Sequence, residues 1–269
     1  MDTQRFPNIN RVSVVVATIL LAFALIQLFP NPESTQTIAI GGFLLPFAFD
    51  ITTFITIAVA AITASGTDWI LRSHPALEGK SSIPHLFLPA ITAWVTNILL
   101  NNMADTPLKW GVFLIGGVFL FVVILSEYIA IFPEDYRRLL AVALLTALSY
   151  GLFLALAASL ESADQRLIIA IPAIALGSSI FSMRILQLQT GKDWPLAEAA
   201  ACMLVTTQVG AGLHYLPIPP LSHGLFLFGT LYFVINFNTN MIENNPVRQA
   251  LIESTVPLVI ISGIALWLS

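Results

Sequence analysis

Nine long apolar stretches punctuate this chain, and the basic residues between them fall almost entirely on alternate sides. The stretches lie near residues 12–28, 50–71, 85–101, 110–132, 139–160, 167–187, 195–214, 221–238 and 250–268. About 20 apolar residues in a helix match a hydrocarbon layer of about 30 Å. Inside lipid every backbone N–H and C=O must find a partner within the protein, so such stretches become helices rather than open sheets. The composition agrees: 57% of the 269 residues are hydrophobic and only 10% are charged, where a soluble domain carries roughly 25% charged residues. Too few charges remain to build a water-facing shell. The sequence therefore predicts an all-α polytopic membrane bundle, a single transmembrane domain over 1–269 in which short connections make successive helices antiparallel.

The charges set the threading. With the N-terminus cytoplasmic, that side receives Arg5, Arg11, Arg72, Lys80, Arg137, Arg138, Arg184, Lys192 and Arg248, and the other side only Lys109 and Arg166. Basic residues in short loops are retained on the cytoplasmic side, so the expected orientation is N-terminus in and C-terminus out, in a bacterial cytoplasmic (inner) membrane. The first stretch follows Arg5 and Arg11 as a signal peptide would. However, Gln27-Leu28-Phe29-Pro30 lacks the small residues of a cleavage site, and the stretch is read as the first helix. Segment 38–49 is apolar but too short to span. Gly41-Gly42 and Pro46 weaken a regular helix there. It is either an extended or re-entrant stretch or a kinked start of the second helix.

Position along each span gives depth, at about 1.5 Å per residue. Glu127, Glu198, Glu253, Arg184 and His85 fall near cytoplasmic ends, and Asp50, His214 and His223 near outer ends. None is central, which disfavours an ion-coupled carrier, since such proteins place an ionisable group at depth. The central polar groups are neutral. Asn97, Tyr150, Gln208 and Thr230 are the candidate ligand-binding residues if these groups line a cavity for a neutral or lipidic solute. The simpler reading is hydrogen bonding between helices.

The sharpest local pattern is Gly66-Thr67-Asp68-Trp69-Ile70-Leu71-Arg72-Ser73-His74-Pro75. Asp68 and Arg72 are four apart and can pair on one helix face. His74 follows, His85 opens the next span, and Glu127 reaches the same level on the fourth. Asp68, Arg72, His74, His85 and Glu127 are the candidate catalytic set, with Arg72 holding a phosphorylated head group and His74 or Glu127 moving a proton. The plainer alternative makes Arg72 a topological anchor neutralised by Asp68, and Trp69 an interfacial aromatic. His214 and His223 share the outer level and are weak candidates for a metal. No metal or other cofactor is expected. All three lysines lie in loops, which leaves no buried amine for a Schiff base. The single cysteine, Cys202, permits no disulfide within the chain, and no basic patch points to nucleic acid. No hydrolase, kinase or metalloprotease spacing is present.

The Gly66–Pro75 run, Leu213-His214-Tyr215-Leu216-Pro217, and Glu127-Tyr128 with Pro133-Glu134-Asp135 resemble an uncharacterised family of bacterial multi-pass membrane proteins, a domain of unknown function. The resemblance covers most of the chain. It implies a helical integral membrane protein of this size and brings no activity, substrate or catalytic residue. Three functions stand in order: a non-catalytic membrane component or accessory subunit, whose partners are the bilayer and other membrane proteins met through lateral helix faces; an enzyme or binder acting on a lipid head group at the cytoplasmic face; and a transporter of a neutral or lipidic solute.

Overall fold

The structure is a computed structural model that describes residues 9–26, 36–40, 43–47, 51–72, 77, 81–103, 106–132, 136–192 and 194–269. Among these, nine α-helices carry the fold: α1 Ile9–Ile26, α2 Ile51–Leu71, α3 Phe87–Asn102, α4 Pro107–Ala130, α5 Arg138–Ser162, α6 Leu167–Thr190, α7 Leu196–Leu213, α8 Pro220–Ile242 and α9 Val247–Trp267. Each falls on one of the nine apolar stretches. Eight are long and apolar enough to cross a membrane, and the described part of α1 is apolar but shorter. Large apolar side chains such as Ile115, Val118 and Leu176 stand exposed, while Glu127, Asn97 and Arg184 are buried. That is the inverse of a water-soluble surface, and it marks a multi-pass membrane protein.

The helix ends follow from local chemistry. Pro107 and Pro220 open α4 and α8, where a missing N–H costs nothing because no carbonyl would receive it. Gly191 closes α6 in the left-handed region at φ 70°, its N–H donating to the Gln187 carbonyl at 3.0 Å. A side chain there would be strained, so glycine is the residue that fits. Segment 38–49 resolves between its two readings. Strands β1 Gln36–Ile40 and β2 Phe43–Phe47 pair antiparallel, with Ile38 opposite Leu45 and Thr37 opposite Pro46. The described part of the second helix begins at Ile51. Extended pairing satisfies backbone groups in a stretch where Pro46 has no N–H to give a helix.

The helices form two compact units, residues 1–141 and 142–269. In the first, α1 packs on α2 and α4, and α3 packs on α2 and α4. Its core joins Val12, Ile19 and Phe23 of α1, Val59 and Ile70 of α2, Ala93 and Leu100 of α3, and Leu120 and Ile124 of α4. In the second, α8 is the hub and packs on α6, α7 and α9. It also meets α5, through Tyr150 against Phe228 and Tyr232 at ring-centroid distances of 5.4 and 5.5 Å. Gly224 lets the two backbones close: a Cβ there would lie 3.2 Å from the Leu154 carbonyl oxygen and 3.2 Å from the Ala158 Cβ.

One irregularity in α9 is met from α8. Pro257 lies inside α9, so no N–H is available for the carbonyl four residues earlier, at Glu253. Asn236 Nδ2 donates to that carbonyl at 3.3 Å.

Candidate functional site

The polar groups of the first unit gather where α2 ends and α3 begins. Asp68 lies in the last turn of α2, and its Oδ2 receives Arg72 Nε at 2.7 Å. Its other oxygen, Oδ1, receives the hydroxyl of Ser82. Ser82 leads into a 3-10 turn, Ile83–His85, and its carbonyl accepts the His85 N–H at 2.9 Å. His85 Nδ1 then lies 2.9 Å from Glu127 Oε2 on α4. A continuous chain therefore runs from Arg72 through Asp68, Ser82 and His85 to Glu127. It ties α2, the turn before α3, and α4 at one level.

Burial separates the two pairs. Glu127 is fully buried and His85 keeps 14% of its side chain exposed, whereas Arg72 keeps 76%. A buried carboxylate needs a cation or donors, and His85 supplies one. His85 meets Glu127 through Nδ1, which leaves Nε2 on the far side of the ring, the arrangement by which a carboxylate orients an imidazole. Arg72 presents a guanidinium held through Nε. Nearby, the Arg11 guanidinium of α1 sits over the Trp69 ring, 5.0 Å from its centroid.

Of the five candidate catalytic residues, Asp68 with Arg72 and His85 with Glu127 are brought into pairs, and Ser82 links the pairs. His74 lies outside the described residues. Sequence reasoning missed Ser82, because a serine in a loop fourteen residues from Asp68 carries no signal of its own.

Three of the four candidate ligand-binding residues meet local partners. Asn97 is buried in the first unit and donates Nδ2 to Thr56 Oγ1 of α2 at 2.7 Å. Tyr150 stacks in the α5–α8 aromatic cluster of the second unit. The Thr230 hydroxyl returns to the Phe226 carbonyl at 2.9 Å, as those of Ser149 and Ser178 return to their own helices. Gln208 is exposed on α7. Thr206 on α7 is fully buried, and its hydroxyl has no hydrogen-bond partner among the described residues.

At the other ends of the second unit's helices, His223 is buried in the first turn of α8, 3.7 Å from Glu161 Oε2 at the end of α5. His214 stands beside Tyr215, with ring centroids 5.7 Å apart. The partner of His223 is thus a carboxylate that sequence reasoning had not weighed. Among the described residues no group of three His, Cys, Asp or Glu side chains is placed to hold a metal ion. A second missed feature is the asparagine run at the end of α8. Asn238 Nδ2 reaches the Glu198 carbonyl at 3.5 Å and Cys202 Sγ at 3.6 Å on α7, and Thr239 Oγ1 donates to Gln189 on α6 at 3.0 Å. Its signal was legible: Asn236, Asn238 and Asn240 alternate within an otherwise apolar stretch.

Residues 30–268 match the profile of a family described as protein of unknown function, DUF5656. The chain belongs to this family. The match begins after α1 and spans α2 to α9, the stretch that carries Asp68, Arg72, Ser82, His85 and Glu127. No curated protein and no solved structure matches the chain.

Proposed function

We propose that this chain is a non-catalytic component of a bacterial cytoplasmic membrane, threaded with its N-terminus inside and its C-terminus outside as one transmembrane domain. One observation carries the reading: the polar side chains in and beside the spans bond back to their own helices or join neighbouring ones. Asn97 joins α3 to α2, His85 and Glu127 join the turn before α3 to α4, and Asn236 and Asn238 join α8 to α9 and α7. What faces outward is largely apolar, as suits a protein that works through lipid and lateral neighbours.

The test is lipid turnover. Purified protein, incubated with phospholipid vesicles and sampled over time, is expected to leave the lipid masses unchanged. Time-dependent conversion that disappears in His85→Gln would overturn the non-catalytic reading and favour an enzyme acting on a lipid head group. Threading has its own check, in a background where Cys202 is replaced by serine. Single cysteines at Ser34 and Ser162 are expected to react with an impermeant thiol reagent from outside, and one at Ser81 is not. The reverse pattern would refute the orientation.

A further inference from the structure

We infer that the α1–α2 end of the first unit is a binding site for a phosphate group, and that its natural source is the head group of an anionic phospholipid. The site consists of Arg72, Arg11 and Trp69, positioned by Asp68 and Ser82. It is independent of whether the chain catalyses anything.

Asp68 takes the Arg72 guanidinium through Nε at 2.7 Å. An arginine bound at Nε engages the side edge of its guanidinium and leaves the end-on pair of Nη N–H groups, a fork that matches two phosphate oxygens. Asp68 is itself fixed, since Ser82 donates to its second oxygen. Arg72 is therefore a preorganised donor, and its side chain is 76% exposed. An exposed ion pair made only for stability would contribute little.

Trp69 and Arg72 are three residues apart on α2, so they share a face. Trp69 is 49% exposed, and its ring is already covered by Arg11 at 5.0 Å. That contact has two effects. It brings a second guanidinium to the face of α2 that carries Arg72, which favours an anion there. It also occupies the aromatic face that a choline would use, which disfavours a zwitterionic choline lipid. Indole rings settle at the head-group level of a bilayer, the depth at which a lipid phosphate lies. Charge, fork geometry and depth thus agree on a phosphodiester carrying net negative charge.

The experiment uses the full chain in detergent, stripped of lipid, with native mass spectrometry during titration by phosphatidylglycerol, phosphatidylcholine or soluble glycerol phosphate. Phosphatidylglycerol is expected to bind at least fivefold more tightly than phosphatidylcholine. Arg72→Gln and Arg11→Gln are each expected to weaken it about fivefold, in line with one basic residue at an anionic surface. Arg72→Lys keeps the charge without the fork and should fall between. Asp68→Asn tests positioning, and should weaken binding although it removes a negative charge. Arg137→Gln, an arginine stacked instead on Tyr136, should change binding less than twofold. Thermal unfolding of each variant separates lost binding from lost folding, and if Arg72→Gln does not fold, Arg11→Gln and Asp68→Asn decide. Equal losses in Arg72→Gln and Arg137→Gln would overturn the site in favour of a general basic surface, and so would equal affinity for the two lipids. Tighter binding by Asp68→Asn would overturn the positioning argument. Competition by glycerol phosphate at matched concentration would uphold the phosphate chemistry and assign it a soluble source.

Discussion

His85→Ala is expected to destabilise the folded protein by about 1–3 kcal/mol, because it removes the imidazole that lies 2.9 Å from the Glu127 carboxyl. The Glu127 side chain is fully buried. Glu127→Gln should cost less, since a neutral amide still hydrogen-bonds to His85. The double replacement His85→Leu with Glu127→Met removes both polar groups together and should return close to the parent, as buried ion pairs replaced by apolar groups often do. Thermal unfolding in a single detergent measures all three. If the double variant is as unstable as His85→Ala, the pair is not coupled and the joint between α3 and α4 lies elsewhere.

Gly224→Val should be the second large effect, about 1–3 kcal/mol, the usual range for overpacking a close contact. The added atoms would meet Leu154 and Ala158 of α5, and one of those contacts is a backbone carbonyl that cannot rotate away. Gly212 and Gly263 provide the contrast. A Cβ at either meets nothing within 4 Å, so alanine there should be neutral or slightly stabilising, through its better helix propensity. Equal Tm changes at Gly224, Gly212 and Gly263 would show that α5 and α8 do not close at Gly224.

The spans were legible because lipid imposes a length and an apolar content that few other environments require. The predicted 50–71 and 167–187 coincide closely with α2 and α6. The β1–β2 pair was only half legible. Gly41-Gly42 and Pro46 argued against a regular helix, but nothing in a twelve-residue apolar stretch distinguishes pairing with itself from packing as a re-entrant loop. In the site, Asp68–Arg72 could be read from helical spacing alone. His85–Glu127 could be read only as shared depth, because which face of α4 meets which face of α3 depends on helix rotation. Ser82–Asp68 and His223–Glu161 were invisible for the same reason. Each joins residues whose neighbourhood is set by tertiary packing, with no periodicity to betray it. His214 and His223 were read as sharing the outer level; the structure places Tyr215 beside the first and Glu161 beside the second.

The proline in α9 carries a consequence for how this chain can vary. Pro257 leaves the Glu253 carbonyl in need of a donor, and Asn236 supplies one from the neighbouring helix. Each residue is then the reason for the other. Alanine at 257 would restore the helical N–H and make the asparagine dispensable, whereas loss of the asparagine beside an intact proline would strand a carbonyl near the edge of the hydrocarbon. The two positions are bound to change in a fixed order, proline first, and an intermediate lacking only the asparagine is the step that drift should avoid.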